Sequence, residues 1–378
     1  MNIALYNLTT TTKVGGVESF VWDLSRELVQ RGHAVTIFGG VGDVCEHVPG
    51  VRVLTFPAVP RRFWQALPLL KRAYAETKLL ERLSMALPAL PELVRGGYDV
   101  VHIQKPYDLA PALLARALGG PPVVLGCHGE DFYRGDRWLA KHVDGAVSCS
   151  AFNASTIAAR YGFRPDVVFN GIDTRLFRRT TPDKTIRPAG VPVDAPLLLF
   201  VGRLQPWKGV EYAIRALLDI PRAVLLIAGD GVDRARLATL AADLGLSERV
   251  FFLGQVARDD LPRFYSTVDL LVATSFASET FGIGLVEAQA CGLPVVAARF
   301  GGFPEVVDEG RTGLLVPPQD PAALAAAINA LLASPVRRAA MRAAAPTWVA
   351  QFSWEAVATR VLESYDRVTR GQEDKRTR

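Results

Sequence analysis

Short runs of β-branched and aliphatic residues alternate with longer segments of helical period along almost the whole chain, and this alternation constrains the fold more than any other feature. It is the signature of parallel sheets covered by helices, so the class is α/β. In the first half the strand-like runs are 3–6, 34–38, 51–56, 100–103, 123–126, 146–148 and 167–169, with a helix over 17–31. Residues 179–196 hold four prolines and no amphipathic period, which reads as a linker. A second series follows at 197–201, 224–228, 250–253, 270–273, 295–297 and 314–316. From 321 to 345, twelve of 25 residues are alanine, a strong helix preference, and a further amphipathic helix spans 353–370 before a solvated tail at 371–378.

A chain of 378 residues is long enough for two domains, each with its own core. The expected units are Rossmann-like domains at 1–178 and 197–352, joined by the 179–196 linker, with C-terminal strand ends facing a cleft where such sheets place ligands. With 49% hydrophobic and 21% charged residues, disorder, collagen and coiled coil are excluded. The best membrane-span candidate, 109–118, is short and carries Arg116. The N-terminus shows no basic region before its first strand, so no signal peptide is visible and the cytoplasm is the expected location. Cys45, Cys127, Cys149 and Cys291 form no C-x-x-C pair, so they read as isolated thiols in or near the core, without zinc or a disulfide framework.

The densest chemical signal lies between Ser278 and Val307. Glu279 and Glu287 stand eight apart, with Phe281, Gly282, Ile283 and Gly284 between them and a helix expected over 285–291. Glycines at a loop-to-helix junction leave backbone N–H groups free to face an anion, and the helix dipole favours phosphate there. Glu287 could accept from ribose hydroxyls and Glu279 from sugar hydroxyls. The plainer reading is a strand–turn–helix with packing glycines and solvated carboxylates. After the run 197–201, Arg203 and Lys208 lie on a strand-to-helix loop where two cations suit a diphosphate and could stabilise its departure without a metal. No D-x-D triplet occurs. In the first half, Gly15 and Gly16 open a helix after the first strand, and His128 follows the run 123–126 at a strand end. The absence of G-x-G-x-x-G argues against a nicotinamide dehydrogenase.

Together the segment GGVESFVWDLSRELVQRGHAVTIF, HGED at 128–131, NGID at 170–173, GRLQPWKGV, AGDG at 228–231 and the E-x7-E segment resemble the GT-B glycosyltransferases of retaining family 4 over nearly the whole chain. The resemblance implies a GT-B fold of two Rossmann-like domains, the first binding the acceptor and the second the donor, with the final helix crossing back to the first. It implies transfer of a sugar from a nucleotide diphosphate sugar, UDP or GDP above all, with retention and with neither metal nor cofactor. The acceptor would be a glycan, a lipid-linked precursor as in polysaccharide biosynthesis, or a small molecule. By the same resemblance, Arg203 and Lys208 match the diphosphate cations, Glu287 the ribose carboxylate, Glu279 the acidic residue beside the donor sugar and His128 the first-domain histidine. Gly15 and Gly16 match the glycine turn, the backbone of Phe281, Gly282 and Ile283 the sugar and phosphate contacts, and Val256 the base contact. Thr274, where many members have proline, and Thr280 depart from the pattern without removing a charge.

No residue is an obvious nucleophile, so retention is expected by same-face attack, with Arg203 and Lys208 stabilising the leaving group and His128 and Glu279 orienting the sugar. The alternatives are an epimerase or a sugar-nucleotide-binding protein on the same scaffold. Residues 52–82 carry seven cations against two acids. Lys71, Lys78 and Arg82 recur at i, i+7 and i+11 among Phe63, Trp64, Leu67, Leu69, Leu70 and Tyr74. Two readings stand: a face that docks on an anionic membrane, or an ordinary amphipathic helix with a solvated basic face. No nucleic-acid-binding module is recognisable.

Overall fold

The computed structural model describes residues 1–44 and 46–376, with side chains to Gly371; Cys45 and the last two tail residues lie outside the described residues. The chain divides into two compact units, Met1–Gly171 with Trp354–Arg378, and Ile172–Ser353.

The first unit is built on a seven-stranded sheet of β1 (Asn2–Tyr6), β2 (Ala34–Gly40), β3 (Val51–Phe56), β4 (Val100–Ile103), β5 (Val123–Cys127), β6 (Gly145–Ser148) and β7 (Asp166–Val167). Its order is β3-β2-β1-β4-β5-β6-β7, and every pairing is parallel. Strands covered on both faces read as continuous apolar runs, which is why IALY and VVHI, buried throughout, were legible as strands. One face packs under the helices Gly16–Gln30 and Trp354–Arg376: Ile3, Leu5, Phe20, Leu24, Trp354, Val357, Val361 and Tyr365 share a core. Tyr365 OH lies 2.7 Å from Nδ1 of His102, which is wholly buried in β4. A side chain at Gly171 would strike the Trp354 ring, so the chain can pass there only as glycine. The helix expected at 353–370 continues through Arg376, into the segment expected as a solvated tail.

The second unit holds β8 (Leu197–Val201), β9 (Val224–Ala228), β10 (Val250–Gly254), β11 (Leu270–Ala273), β12 (Val295–Ala298) and β13 (Gly313–Val316), all parallel, in the order β10-β9-β8-β11-β12-β13. Residues 179–196, expected as a linker, pack on this unit. Thr180 N–H donates to Ser266 Oγ, Asp183 N–H donates to Thr267 Oγ1, and Ile186 is buried.

The basic face expected from Lys71, Lys78 and Arg82 does not form. The helix runs Tyr74–Arg95, so Lys71 precedes it, while Lys78 and Arg82 turn inward. Arg82 is buried against Asp108, and Lys78, only 11% exposed at its side chain, pairs with Asp131. Asp108 and Asp131 arrive from the segments after β4 and β5, contacts that a periodicity within one helix does not contain.

Candidate active site

In the second unit the expected donor residues gather at the C-terminal ends of β8 and β11, the edge where open parallel sheets bind ligands. The loop after β8 carries Arg203 and Lys208 into the helix Val210–Ala216. Thr274 Oγ1, beyond β11, donates to Lys208 O at 3.0 Å, and Phe276 N–H donates to Trp207 O. The hydroxyl at 274 thus pins the cationic loop to its neighbour, a bond that a proline there could not make.

Lys208 Nζ is 2.6 Å from Glu279 Oε2, which also accepts from Ser275 Oγ at 3.1 Å. Glu287 is buried one turn inside the helix Ile283–Ala290 and accepts from Tyr265 OH at 3.2 Å. Burial and the Glu287 carboxylate push the Tyr265 phenol well above its ordinary range, so it stays a donor. Lys208, Ser275, Glu279, Gly282, Ile283 and Glu287 line one cavity of about 180 Å³.

Arg203, Phe281 and Val256 do not line that cavity. Arg203 is exposed and has no ion pair among the described residues, whereas Phe281 is buried with its ring 5.8 Å from Phe352, leaving only its backbone toward the loop. Val256 lies half-buried beyond β10. Gly282, at φ +100°, caps the helix, and a Cβ there would meet the Phe303 ring at 2.6 Å. Gly229 of the AGDG segment, at φ +153°, passes so close to Gly202 O that a Cβ would collide. The loops after β8 and β9 approach this closely because residue 229 carries no side chain.

In the first unit, Gly15 caps the helix Gly16–Gln30, and a side chain on Gly15 would strike the Glu18 carboxylate. Glu18 accepts from Thr9 Oγ1 and lies 3.8 Å from Lys13 Nζ, so the position nearest Gly15 already holds an anion, while the space beside Gly16 is open. His128 follows β5. Its Nε2 lies 2.8 Å from Gln104 Oε1, and Gln104 in turn donates to His102 O at 3.1 Å. This network assigns the proton to Nε2. Asn170 also hydrogen-bonds the imidazole, and Phe20 packs edge-on at 4.7 Å. Burial, then the charge of Lys105, lowers its pKa to about 3, so it is a neutral ring near pH 7.

Several supporting residues escaped sequence reasoning. Gln104, Ser275 and Tyr265 carry no local signal. Asn170 and Asp131 stood in the segments NGID and HGED, and Gly301 and Gly302 stood as a visible pair whose turn packs on the backbone of Glu279 and Thr280.

Two parallel-sheet units, with cations and carboxylates collected at strand ends of the second, are the architecture expected of the GT-B fold, and the comparisons with known proteins agree. The family described as Glycosyltransferase Family 4 matches residues 14–176, and that described as Glycosyl transferases group 1 matches 182–348. The chain belongs to the family 4, group 1 glycosyltransferases. It is 32% identical over 396 residues to the D-inositol 3-phosphate glycosyltransferase of Xylanimonas cellulosilytica, spanning 95% of this chain and 93% of that enzyme. The enzyme of the same name from Mycobacterium marinum is also 32% identical, across 94% of this chain and 82% of its own. Among solved structures, sucrose-phosphate synthase from Thermosynechococcus elongatus superposes with a TM-score of 0.81 at 25% identity, covering 98% of this chain and 99% of that one. Anabaena HepE in complex with UDP-glucose gives 0.75 at 25%, covering 97% and 99%.

Proposed function

We propose that this glycosyltransferase moves a hexose from a UDP-sugar to an acceptor hydroxyl with retention, by same-face attack and without a metal. The observation that carries the reading is the Lys208–Glu279 pair beside Glu287 in one cavity, with Arg203 exposed on the same loop. Arg203 and Lys208 stabilise the charge that grows on the departing diphosphate, and a fixed cation does so without reorganising at the moment of reaction. Glu287 accepts from the ribose, and Glu279 with the backbone of Phe281, Gly282 and Ile283 orients the sugar. Gly15, Gly16 and the neutral His128 serve the donor from the first unit, which also takes the acceptor. The diphosphate oxygen receives the acceptor proton, so no protein base is required. UDP is chosen over GDP because HepE, similar over nearly its whole length, binds UDP-glucose.

Thermal unfolding with UDP, GDP, ADP and dTDP tests this. A ligand at 100 times its dissociation constant adds about 2.7 kcal/mol to the folded state. UDP should raise the midpoint and Arg203→Ala should abolish the shift; no shift with any nucleotide would overturn the donor assignment.

Drawing the acceptor from a lipid surface requires that the chain reach one, and we propose such contact for residues 61–74. Phe63 is 59% and Leu69 96% exposed, among exposed Arg62, Lys71 and Arg72. Beside them an apolar groove of about 380 Å³ runs between the helices Tyr74–Arg95 and Leu109–Ala117, lined by Trp64, Leu83, Leu87, Leu90 and Leu114. The proposed occupant is an anionic bilayer, matched by the cations around an apolar centre. Co-sedimentation should occur with anionic vesicles and fail with neutral ones; no pelleting with either would reject it. No helix among the described residues is long and apolar enough to cross a membrane.

A further inference from the structure

Three elements of the first unit bring charge to one place at the C-terminal edge of its sheet. Lys105 follows β4, Asp131 follows β5 three residues after His128, and Lys78 reaches over from the helix Tyr74–Arg95. One carboxylate oxygen, Asp131 Oδ2, takes both cations: Lys78 Nζ hydrogen-bonds it and Lys105 Nζ lies 3.2 Å away. Lys78 Nζ also sits 4.4 Å above the Tyr107 ring. The other nearby cation, Arg82, is consumed by Asp108 in a buried pair. Lys105 is near enough to His128 to lower its pKa, so the cluster adjoins the histidine assigned to the reacting sugar.

Two half-buried ammonium groups converging on one point make a seat for a phosphate, and here the chain's own carboxylate fills it. Burial would raise the Asp131 carboxyl, but Lys105 and Lys78 outweigh it and hold it below the usual carboxylate range. The seat therefore keeps its internal anion at any working pH. A phosphomonoester arriving there would meet a fixed negative charge and cations already engaged.

We infer that Asp131 is a specificity determinant that closes the Lys78–Lys105 anion seat, so that the acceptor beside His128 presents uncharged hydroxyls, as a neutral polyol or sugar does, and phosphomonoesters are refused. This rests on the reading of the first unit as the acceptor unit.

The test is titration with inorganic phosphate at pH 6.5, where Lys78, drawn down to about 8 by burial, remains charged. An Arg203→Ala background removes the cation assigned to the donor diphosphate, so phosphate bound there does not intrude. Asp131→Asn in that background should bind phosphate at least about tenfold more tightly than the background alone, and adding Lys78→Ala should abolish the gain. Equal phosphate binding with and without Asp131 overturns the inference, as does no binding in a folded Asp131→Asn protein. Should Asp131→Asn fail to fold, the chain with Asp131 intact decides: phosphate binding that Lys78→Ala removes overturns the inference, and none upholds it. The titration requires no turnover, so failure of the donor assignment reads out separately in the nucleotide shifts.

Discussion

Lys208 and Glu279 neutralise each other across the cavity of the second unit, and each is positioned by a different strand end. Lys208→Ala should lower turnover at least about 10²-fold, the scale of one lost charge-stabilising donor. Near wild-type steady-state rates would reject its role. His128 and His102 both have pKa values lowered to about 3 by burial, against about 6.5 in an unfolded chain. Between those values the unfolded chain binds protons that the folded chain does not, so stability is full above about pH 6.5 and falls as pH drops toward 3. Denaturant titrations from pH 4.5 to 6.5 should show that slope, and His128→Gln should reduce it by about 1.4 kcal/mol per pH unit, one proton's worth. An unchanged slope would mean that His128 titrates normally. At this scale the charged residues of the second unit were legible, because a charge after an apolar run has few structural reasons to be there. Their partners Ser275, Tyr265 and Gln104 were not, since a hydroxyl or amide far along the chain has no spacing to betray it.

Most strands were legible as elements because burial on both faces writes itself into composition; β8 coincides with its apolar run, β3 coincides with its run although it is a partly exposed edge strand, and β7 is shorter and earlier than its run implied. Glycine spacing announced loops but not their contacts. Gly229 is the case in point: alanine there would face both a φ of +153° and the Gly202 carbonyl. Gly229→Ala should cost about 2 kcal/mol or more in unfolding free energy, read from the denaturant midpoint, by strain and overpacking together. The basic window shows the opposite failure. A helical period placed Lys78 and Arg82 on one exposed face, membrane-docking or solvated, whereas long-range acids had claimed both. Reversing Lys71 and Arg72 to glutamate should therefore weaken pelleting with anionic vesicles, while Lys78→Gln should leave it unchanged; the reverse pattern would restore the helical face as the docking surface.

For the whole molecule, the division into two units follows the two runs of alternating elements, but the ownership of residues 172–196 and of the last helix rests on tertiary contacts. Tyr365 ties that helix to His102 in the centre of the first sheet. Tyr365→Phe leaves a buried imidazole nitrogen unpaired and should cost about 1–3 kcal/mol, seen as a lower midpoint in thermal or denaturant unfolding. Stability equal to wild type would show that the bond is dispensable.

Because the first unit is interrupted at Gly171 and completed only from Trp354 onward, its folding is tied to the timetable of synthesis. At about 5–20 residues per second, the ribosome spends on the order of 10–40 s making the intervening unit before the closing helix emerges. Throughout that interval the sheet face around Ile3, Leu5 and Phe20 lacks its cover from Trp354, Val357 and Val361. The second unit, contiguous in sequence, can finish first. A chain ending at Ser353 should therefore be cut by protease in its first 171 residues while Ile172–Ser353 resists.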